Sequence, residues 1–336
     1  MATQIEQSSH ELGGSPLPFV SVILPILNEE PYLAGAVGSI LSQDYRGQIE
    51  VVLAVGPSKD RTREIAEQLH AADSRVIVVD NPTGKTAAGL NLALGASGGS
   101  IIVRVDGHAE IPQNYISTAV QTLRSTGAVN VGGVMAAVGQ SQFEKAVAGA
   151  MRSALGVGSS RFHTGGEAGE VDTVYLGVFQ RDALVAIGGF DERFTRAQDW
   201  ELNFRLRENG GIVYFDPRLQ VIYRPRPNLR ALAKQYFEYG RWRRVVSRRH
   251  SGTINLRYLA PPVALVGFTI SVIAGFIAPI LFTPAAIYLL FVLLASIKIA
   301  TSIREYILLL AVIPTMHFAW GAGFISSPKT LVPAAE

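Results

Sequence analysis

From Leu259 onward the chain carries three apolar runs, at 259–281, 285–303 and near 306–325. Each is close to the roughly 20 residues that cross a hydrocarbon core. In that solvent every backbone N–H and C=O must find a partner within the chain, so such runs fold as helices. Hydrophobic residues make up 48% of the 336 and charged residues only 17%. That average hides a polar part followed by an apolar tail. The stretch just before the tail, "RPRPNLRALAKQYFEYGRWRRVVSRRH", is dense in arginine and aromatic residues. The first connection, "FTPAA", is uncharged, and Lys298 and Arg304 flank the second run. By the positive-inside rule the polar part faces the cytosol of a multi-pass inner-membrane protein. A buried helical subdomain is the alternative. The number of crossings stays open, because the second and third runs have almost no loop between them.

The polar part alternates. "FVSVILPIL", "IEVVLAV", "RVIVVD" and "SIIVRVD" are nearly continuous in Val, Ile and Leu, the pattern of strands buried on both faces. Between them "EPYLAGAVGSILSQ", "DRTREIAEQLHAA" and "KTAAGLNLALGAS" have helical spacing. This order predicts an α/β fold with a doubly wound, mostly parallel sheet. Ligands bind such sheets beyond the carboxyl ends of the strands, which puts the chemistry just after Leu24, Val55, Asp80 and Val105. The section from Tyr115 to Arg224 is less regular and reads as a second half completing the same domain. Residues 1–18 lack an apolar core and read as a disordered leader rather than a signal peptide. With no cysteine in the chain, disulfides and thiolate metal sites are excluded.

The segment "NPTGKT" at 81–86 looks like the end of a phosphate-binding P-loop. That motif needs a glycine five positions before its second glycine, and Val79 stands there. Pro82 also lacks an N–H to offer a phosphate. The P-loop reading fails, yet Lys85, at a helix N-terminus, can still serve a phosphate.

In order and spacing, "VSVILPILNEE", "GPSKDRT", "NPTGKTAAGLNLAL", "IIVRVDGHAEI" and "FTRAQDWELNFRLRENGG" resemble the family 2 glycosyltransferases. "VDGHAEI", "YFEYGRW" and "HFAWGAGF" look more narrowly like the bacterial membrane enzymes that build exopolysaccharide of the succinoglycan type on a lipid carrier. The resemblance implies a GT-A, Rossmann-like domain over 19–225, then basic amphipathic helices over 226–257 and membrane helices, about three, over 258–326.

It also implies roles. Pro25, Asn28 and Glu29 would seat the nucleoside, with Pro25 shaping the turn. Asp60 would meet the base, although the family's Asp-Gly-Ser is here Gly56-Pro57-Ser58; alone, Asp60 also reads as a helix N-cap. Lys85 and Asp106 would serve the donor diphosphate. Asp106-Gly107-His108 stands where the family has D-x-D and binds Mg²⁺ or Mn²⁺; His108 is the softer ligand and favours Mn²⁺. Asp199 would be the general base of an inverting transfer, its basicity raised by partial burial beside Trp200. Its other reading is an N-cap. Asp172, Gln198, Trp200, Arg241 and Trp242 would line the acceptor side. Gln235 lies six residues before Arg241, not the three of processive synthases. The implied reaction moves a hexose, from UDP-glucose or a relative, to a polyprenyl-diphosphate-linked saccharide. The expected partners are a nucleotide sugar, that lipid acceptor and membrane lipids, and no nucleic acid. A polyprenyl-phosphate-sugar synthase and a non-catalytic binding subunit of the same fold are the alternatives.

Overall fold

The computed structural model describes residues 16–332; most of the leader reading, residues 1–15, lies outside them. Four strands, β1 (Val20–Ile26), β2 (Ile49–Val55), β3 (Val76–Asp80) and β4 (Ile101–Arg104), pair in parallel in the order β3-β2-β1-β4. Helices α1 (Leu33–Leu41), α2 (Thr62–Ala72) and α3 (Thr86–Ala96) connect them. Alternate residues explain the continuous apolar runs. Val20, Val22, Leu24 and Ile26 enter one core, while Ile23, with Val52 and Ala54 of β2, enters the other. A sheet sandwiched between helices must be apolar on both faces.

The irregular middle section extends this sheet. Helix α4 (Tyr115–Thr126) precedes β5 (Asn130–Ala137), then α5 (Gln142–Met151), α6 (Ala154–Val157) and α7 (Arg161–Thr164). After them come β6 (Gly169–Glu170), β7 (Tyr175–Gln180), α8 (Arg181–Ala186), α9 (Gln198–Glu208) and β8 (Val213–Tyr223). The eight strands order as β3-β2-β1-β4-β7-β5-β8-β6. Here β7 runs antiparallel to both β4 and β5, and β6 antiparallel to β8, while β5 and β8 are parallel. The sheet is therefore mixed but mostly parallel. Pro25 does not shape a turn as expected; it lies inside β1, opposite Ala54. The fold tolerates it because Ile23 accepts from Val105 on the β4 side. Two residues on, Pro25 faces that same side past the last residue of β4, where no N–H is required.

Beyond β8, α10 (Leu229–Arg249) crosses the domain, followed by α11 (Leu256–Gly275), a 3₁₀ turn at Pro279–Phe282, α12 (Thr283–Ile299) and α13 (Ile303–Ser326). Among the described residues three helical segments are long and apolar enough to cross a membrane: Leu256–Gly275, Pro279–Ile299 and Ile303–Ser326. The apolar face of the basic helix α10 is covered by protein. Leu232 and Tyr236 are buried with Met135 of β5, α5 and Leu309, Ile313 and Met316 of α13. An amphipathic pattern announces an apolar face but not what covers it, and here protein does.

Close approach of α10 and α13 depends on two glycines. A Cβ on Gly240 would strike the backbone of Trp320, and one on Gly323 the backbone of Phe237. Because backbone cannot yield as a side chain can, Gly240→Ala and Gly323→Ala should each destabilise by about 1–3 kcal/mol or more. Gly267→Ala on α11, where a Cβ meets nothing within 4 Å, should leave the melting temperature of the detergent-solubilised protein unchanged or slightly raised.

Candidate active site

The loops following the first four strands converge. Gly56 donates to Ile26 O at 2.8 Å and Asn81 to Val55 O at 2.9 Å. Gly84, at φ +62°, sits against Pro57 and Leu27, and a Cβ there would come within 3.0 Å of Pro57. The loop after β1 is pinned to the one after β2. Asn28 N donates to Ser58 Oγ (3.0 Å), Lys59 N to Asn28 Oδ1 (2.8 Å) and Glu29 N to Thr62 Oγ1 (2.7 Å). Both oxygens of Asp60 are engaged within the chain: Oδ1 accepts from Thr62 N (3.1 Å) and Oγ1 (2.6 Å), Oδ2 from Glu30 N (3.2 Å). The Thr62 hydroxyl, first among these bonds, holds the Asp60 carboxyl below its ordinary range. Asp60 thus braces the first turn of α2 and the β1–α1 loop together. Lys85 caps α3 through its backbone, with its side chain exposed.

The centre of the cleft is Arg104, the one cation of β4. It is 4% exposed. Its Nη1 donates to Asp199 and its Nη2 to Asp106 at 3.1 Å. Two carboxylates 93 positions apart in sequence, one after β4 and one in the first turn of α9, therefore meet on one guanidinium. Asp199 is not the N-cap of α9. That position is Ala197, held at φ +58°. The side chain of Asp199 is 31% exposed, lodged against Arg104 rather than against Trp200 alone. Gln198 is buried at the start of α9.

Behind Asp106, His108 Nδ1 lies 2.9 Å from Glu29 Oε1. That bond leads the forces raising the imidazole's pKa above its ordinary value, against the opposing effect of burial. Gly107 makes the approach possible, since a Cβ there would collide with Glu29 and Ile26. Among the described residues no three Asp, Glu or His side chains gather into a metal cage. A divalent ion shared with substrate phosphates and water needs only one or two carboxylates; Asp106 is one such carboxylate, with its Oδ1 already bonded to Arg104, and His108 would offer only Nε2, since Glu29 holds its Nδ1.

On the acceptor side the structure divides the expected residues. Trp200 and Asp172 stand at one junction with two arginines not expected from the sequence. The Arg243 guanidinium is sandwiched, 3.5 Å from the Trp200 ring centroid and 3.7 Å from that of Tyr258. Arg257 donates to Asp172. Arg243 is 6% exposed, and its Nε and Nη1, Arg257 Nε and Trp200 Nε1 are buried without a partner. Burial pushes the Arg243 pKa down to about 10, partly opposed by Tyr258. Trp242 and Arg241 are elsewhere. Trp242 is 4% exposed and packs on Phe194, with ring centroids 6.0 Å apart, so it does not cap an open cleft. Arg241 pairs with Glu238 at 2.8 Å and accepts from Ser327 through its carbonyl.

Glu201 faces away from Asp199. It accepts from Arg205 at 2.7 Å and lies 3.1 Å from His250 Nε2, at the end of α10. This ties α9, and so Asp199, to α10.

A mixed sheet whose strand-end loops pin one another over a cleft of carboxylates and cations is the architecture of a GT-A glycosyltransferase. Residues 21–188 match Glycosyl transferase family 2. The chain is 31% identical over 307 residues to the Succinoglycan biosynthesis protein ExoA of Rhizobium meliloti, covering 90% of this chain and 93% of that one. A Methanococcus voltae relative, 24% identical over 91% of this chain and 96% of its own, is a dolichyl N-acetyl-α-D-glucosaminyl phosphate 3-β-D-2,3-diacetamido-2,3-dideoxy-β-D-glucuronosyltransferase. Among solved structures, the Pyrobaculum calidifontis mannosyltransferase PcManGT with GDP-Man and Mn²⁺ superposes with TM-score 0.58 at 19% identity, over 92% of this chain and 87% of that one. S. aureus TarS 1-349 with UDP does so at TM-score 0.50 and 16% identity, over 89% of each chain. The chain belongs to glycosyl transferase family 2, and it is a glycosyltransferase of polysaccharide biosynthesis.

Burial raises the Glu201 pKa, but bonds from His250 and Arg205 outweigh it and leave the carboxyl below its ordinary range. A depressed carboxyl contributes stability that is complete above its unfolded pKa and lost as pH falls through the folded one. Glu201→Gln should therefore lower stability at pH 7 by about 3–5 kcal/mol, the cost of breaking a buried pair. In thermal melts the gap to wild type should narrow as the pH drops below about 4.

Proposed function

We propose that the protein is an inverting glycosyltransferase that moves a hexose from a nucleotide sugar, UDP-glucose or a close relative, to a polyprenyl-linked saccharide. Its catalytic domain works at the cytosolic face of the inner membrane. The observation that carries this reading is the Arg104 bridge: Asp106, on the donor-phosphate side, and Asp199 share one buried cation. The Asp199 carboxylate takes the proton of the acceptor hydroxyl. That oxygen attacks the anomeric carbon from the face opposite the diphosphate, the glycosidic C–O bond breaks, and its electron pair leaves on the nucleoside diphosphate. Arg104 positions Asp199 for this step. A divalent ion, Mn²⁺ or Mg²⁺, held by Asp106 and His108 would neutralise charge on the departing diphosphate. Asn28, Glu29 and Lys85 would hold the rest of the donor.

The acceptor reading has separate support. Arg243 and Arg257 leave buried N–H groups unpaired beside Trp200, one residue from the base, and buried donors of this kind call for an anion. A lipid-linked phosphate meets that need, and the name of the Methanococcus voltae relative specifies an acceptor of that chemistry.

Asp199→Asn should cut sugar transfer by about 10²–10⁴-fold, as loss of a general base does. UDP binding by calorimetry should stay unchanged. Wild-type protein that binds UDP but transfers no sugar to any polyprenyl phosphate or diphosphate saccharide would point to a binding subunit. Arg257→Gln should instead raise the acceptor KM by about 10–100-fold, the worth of a charged hydrogen bond, with the donor KM unmoved.

A further inference from the structure

The hydropathy of the tail suggests three crossings, but the packing of α13 contradicts that count. Helix α13 has 24 residues, about 36 Å of helix at 1.5 Å per residue, enough to span a bilayer. A spanning helix must carry its two ends to opposite faces, and both ends of α13 rest on the catalytic domain. At its start, Leu308 packs against the cluster that holds Ala146, Val147 and Met151 of α5, and Ile299, just before it, lies 3.0 Å from where a Cβ on Gly149 would stand. Along its length Leu309, Val312, Ile313 and Met316 are fully buried with Ala146, Val147, Ala150 and Met151 of α5 and with Leu232 and Tyr236 of α10. At its end Ser327 Oγ donates to Arg241 O at 2.9 Å, and Arg248 donates to Ser327 O at 2.9 Å. The chain then packs Leu331 and Val332 onto the Phe194–Trp242 cluster.

The neighbour is as telling as the ends. Helix α10 carries seven basic residues among its 21. It is fixed to the catalytic domain in its first half, through Leu232 and Tyr236 buried with Met135 and Ala137 of β5, and at its end through His250 against Glu201. A helix so charged does not enter hydrocarbon, and α13 lies along it, with Gly240 under Trp320 and Arg244 5.0 Å from the Phe324 ring centroid.

The pair α11 and α12 is different. Helix α11 leaves the domain where Arg257 meets Asp172, and α12 returns where Ile299 sits over Gly149 of α5. Between Tyr258 and Ile297 there is no charged residue. At the tip Phe276, Ile277 and Ile280 are 83%, 86% and 76% exposed. Burial covers 17% and 22% of these two apolar segments, against 39% of α13.

We infer that only the α11–α12 hairpin enters the acyl-chain region of the bilayer, and that α13 is an inner layer which does not cross it. The chain therefore returns to the face on which the catalytic domain lies, and the described residues after α13 stay on that face. An odd number of crossings would put the residues after α13 on the opposite face. The absence of cysteine makes a direct test clean. Single variants Glu67→Cys on α2, Thr301→Cys between α12 and α13, and Thr330→Cys after α13 place one thiol each at exposed positions. Each full-length variant is expressed in cells and treated with a membrane-impermeant maleimide before and after permeabilisation. Nucleoside diphosphate release serves as the check on folding.

The expected result is that Thr330→Cys and Thr301→Cys show the same intact-to-permeabilised labelling ratio as Glu67→Cys. Labelling of Thr330→Cys from the face opposite to Glu67→Cys would overturn the inference. The outcome is read relative to Glu67→Cys, so it is independent of the cytosolic orientation proposed above. If Glu67→Cys itself labels in intact cells, that orientation fails and the inference about α13 stands or falls separately.

Discussion

One buried guanidinium organises the cleft. Arg104 sits in a central strand, where desolvation of a lone cation would cost several kcal/mol, and Asp106 and Asp199 offset that cost. The two carboxylates in turn owe their proximity to it. Without a cation between them, their like charges would push α9 away from the end of β4. The bridge therefore links the end of β4, with Asp106, to α9, with Asp199, the proposed base. The second tie, from Glu201 to His250, links the same helix to α10. Asp199 is held from two directions, by the sheet and by α10.

Backbone strain collects around the same cleft. Among the described residues three non-glycine positions have positive φ: Asn28, Leu176 and Ala197. Asn28 lies in the loop after β1, Leu176 in β7 beside β4, and Ala197 immediately before α9. A left-handed conformation at a β-carbon-bearing residue costs about 1–3 kcal/mol and persists only where the surroundings over-determine it. The surroundings here are specific. The Asn28 backbone and side chain are bonded to Ser58 and Lys59, and Leu176 is locked in the core at 2% exposure. At Ala197 the turn directs Asp199 inward to Arg104 while Glu201 points out to Arg205.

Much of this could be read from the chain alone, for identifiable reasons. The parallel strands were legible because burial on both faces forces continuous apolar runs. Asp106 and Asp199 stood out because each follows a predictable element boundary. Arg104 did not, although it is the one charge in "IIVRV". A cation in an apolar strand has meaning only once a partner from far along the chain is known. Pro25 misled for a related reason: whether a strand tolerates proline depends on where the neighbouring strand stops, and β4 stops early. The apolar face of α10 was legible, but amphipathicity reports an apolar side without identifying its cover. That cover, α13, comes from the tail, which composition alone assigns to lipid.

The contact between the catalytic domain and the membrane layer passes through Arg243. Its guanidinium is stacked between Trp200, next to the base, and Tyr258, at the root of the α11–α12 hairpin. Arg257, beside Tyr258, reaches back to Asp172 of the catalytic domain. Two cations and one carboxylate leave an excess positive charge at a half-buried junction whose innermost member, Arg243, is 6% exposed, which favours an anionic group there. The lipid-linked acceptor proposed above would arrive from the hairpin side, its hydrocarbon in the bilayer and its head projecting out. The same stack that would receive the phosphate also touches the helix bearing Asp199. Under the proposed reading, an anion at this junction would touch, through one aromatic ring on each side of a single arginine, both the root of the hairpin and the helix that carries Asp199.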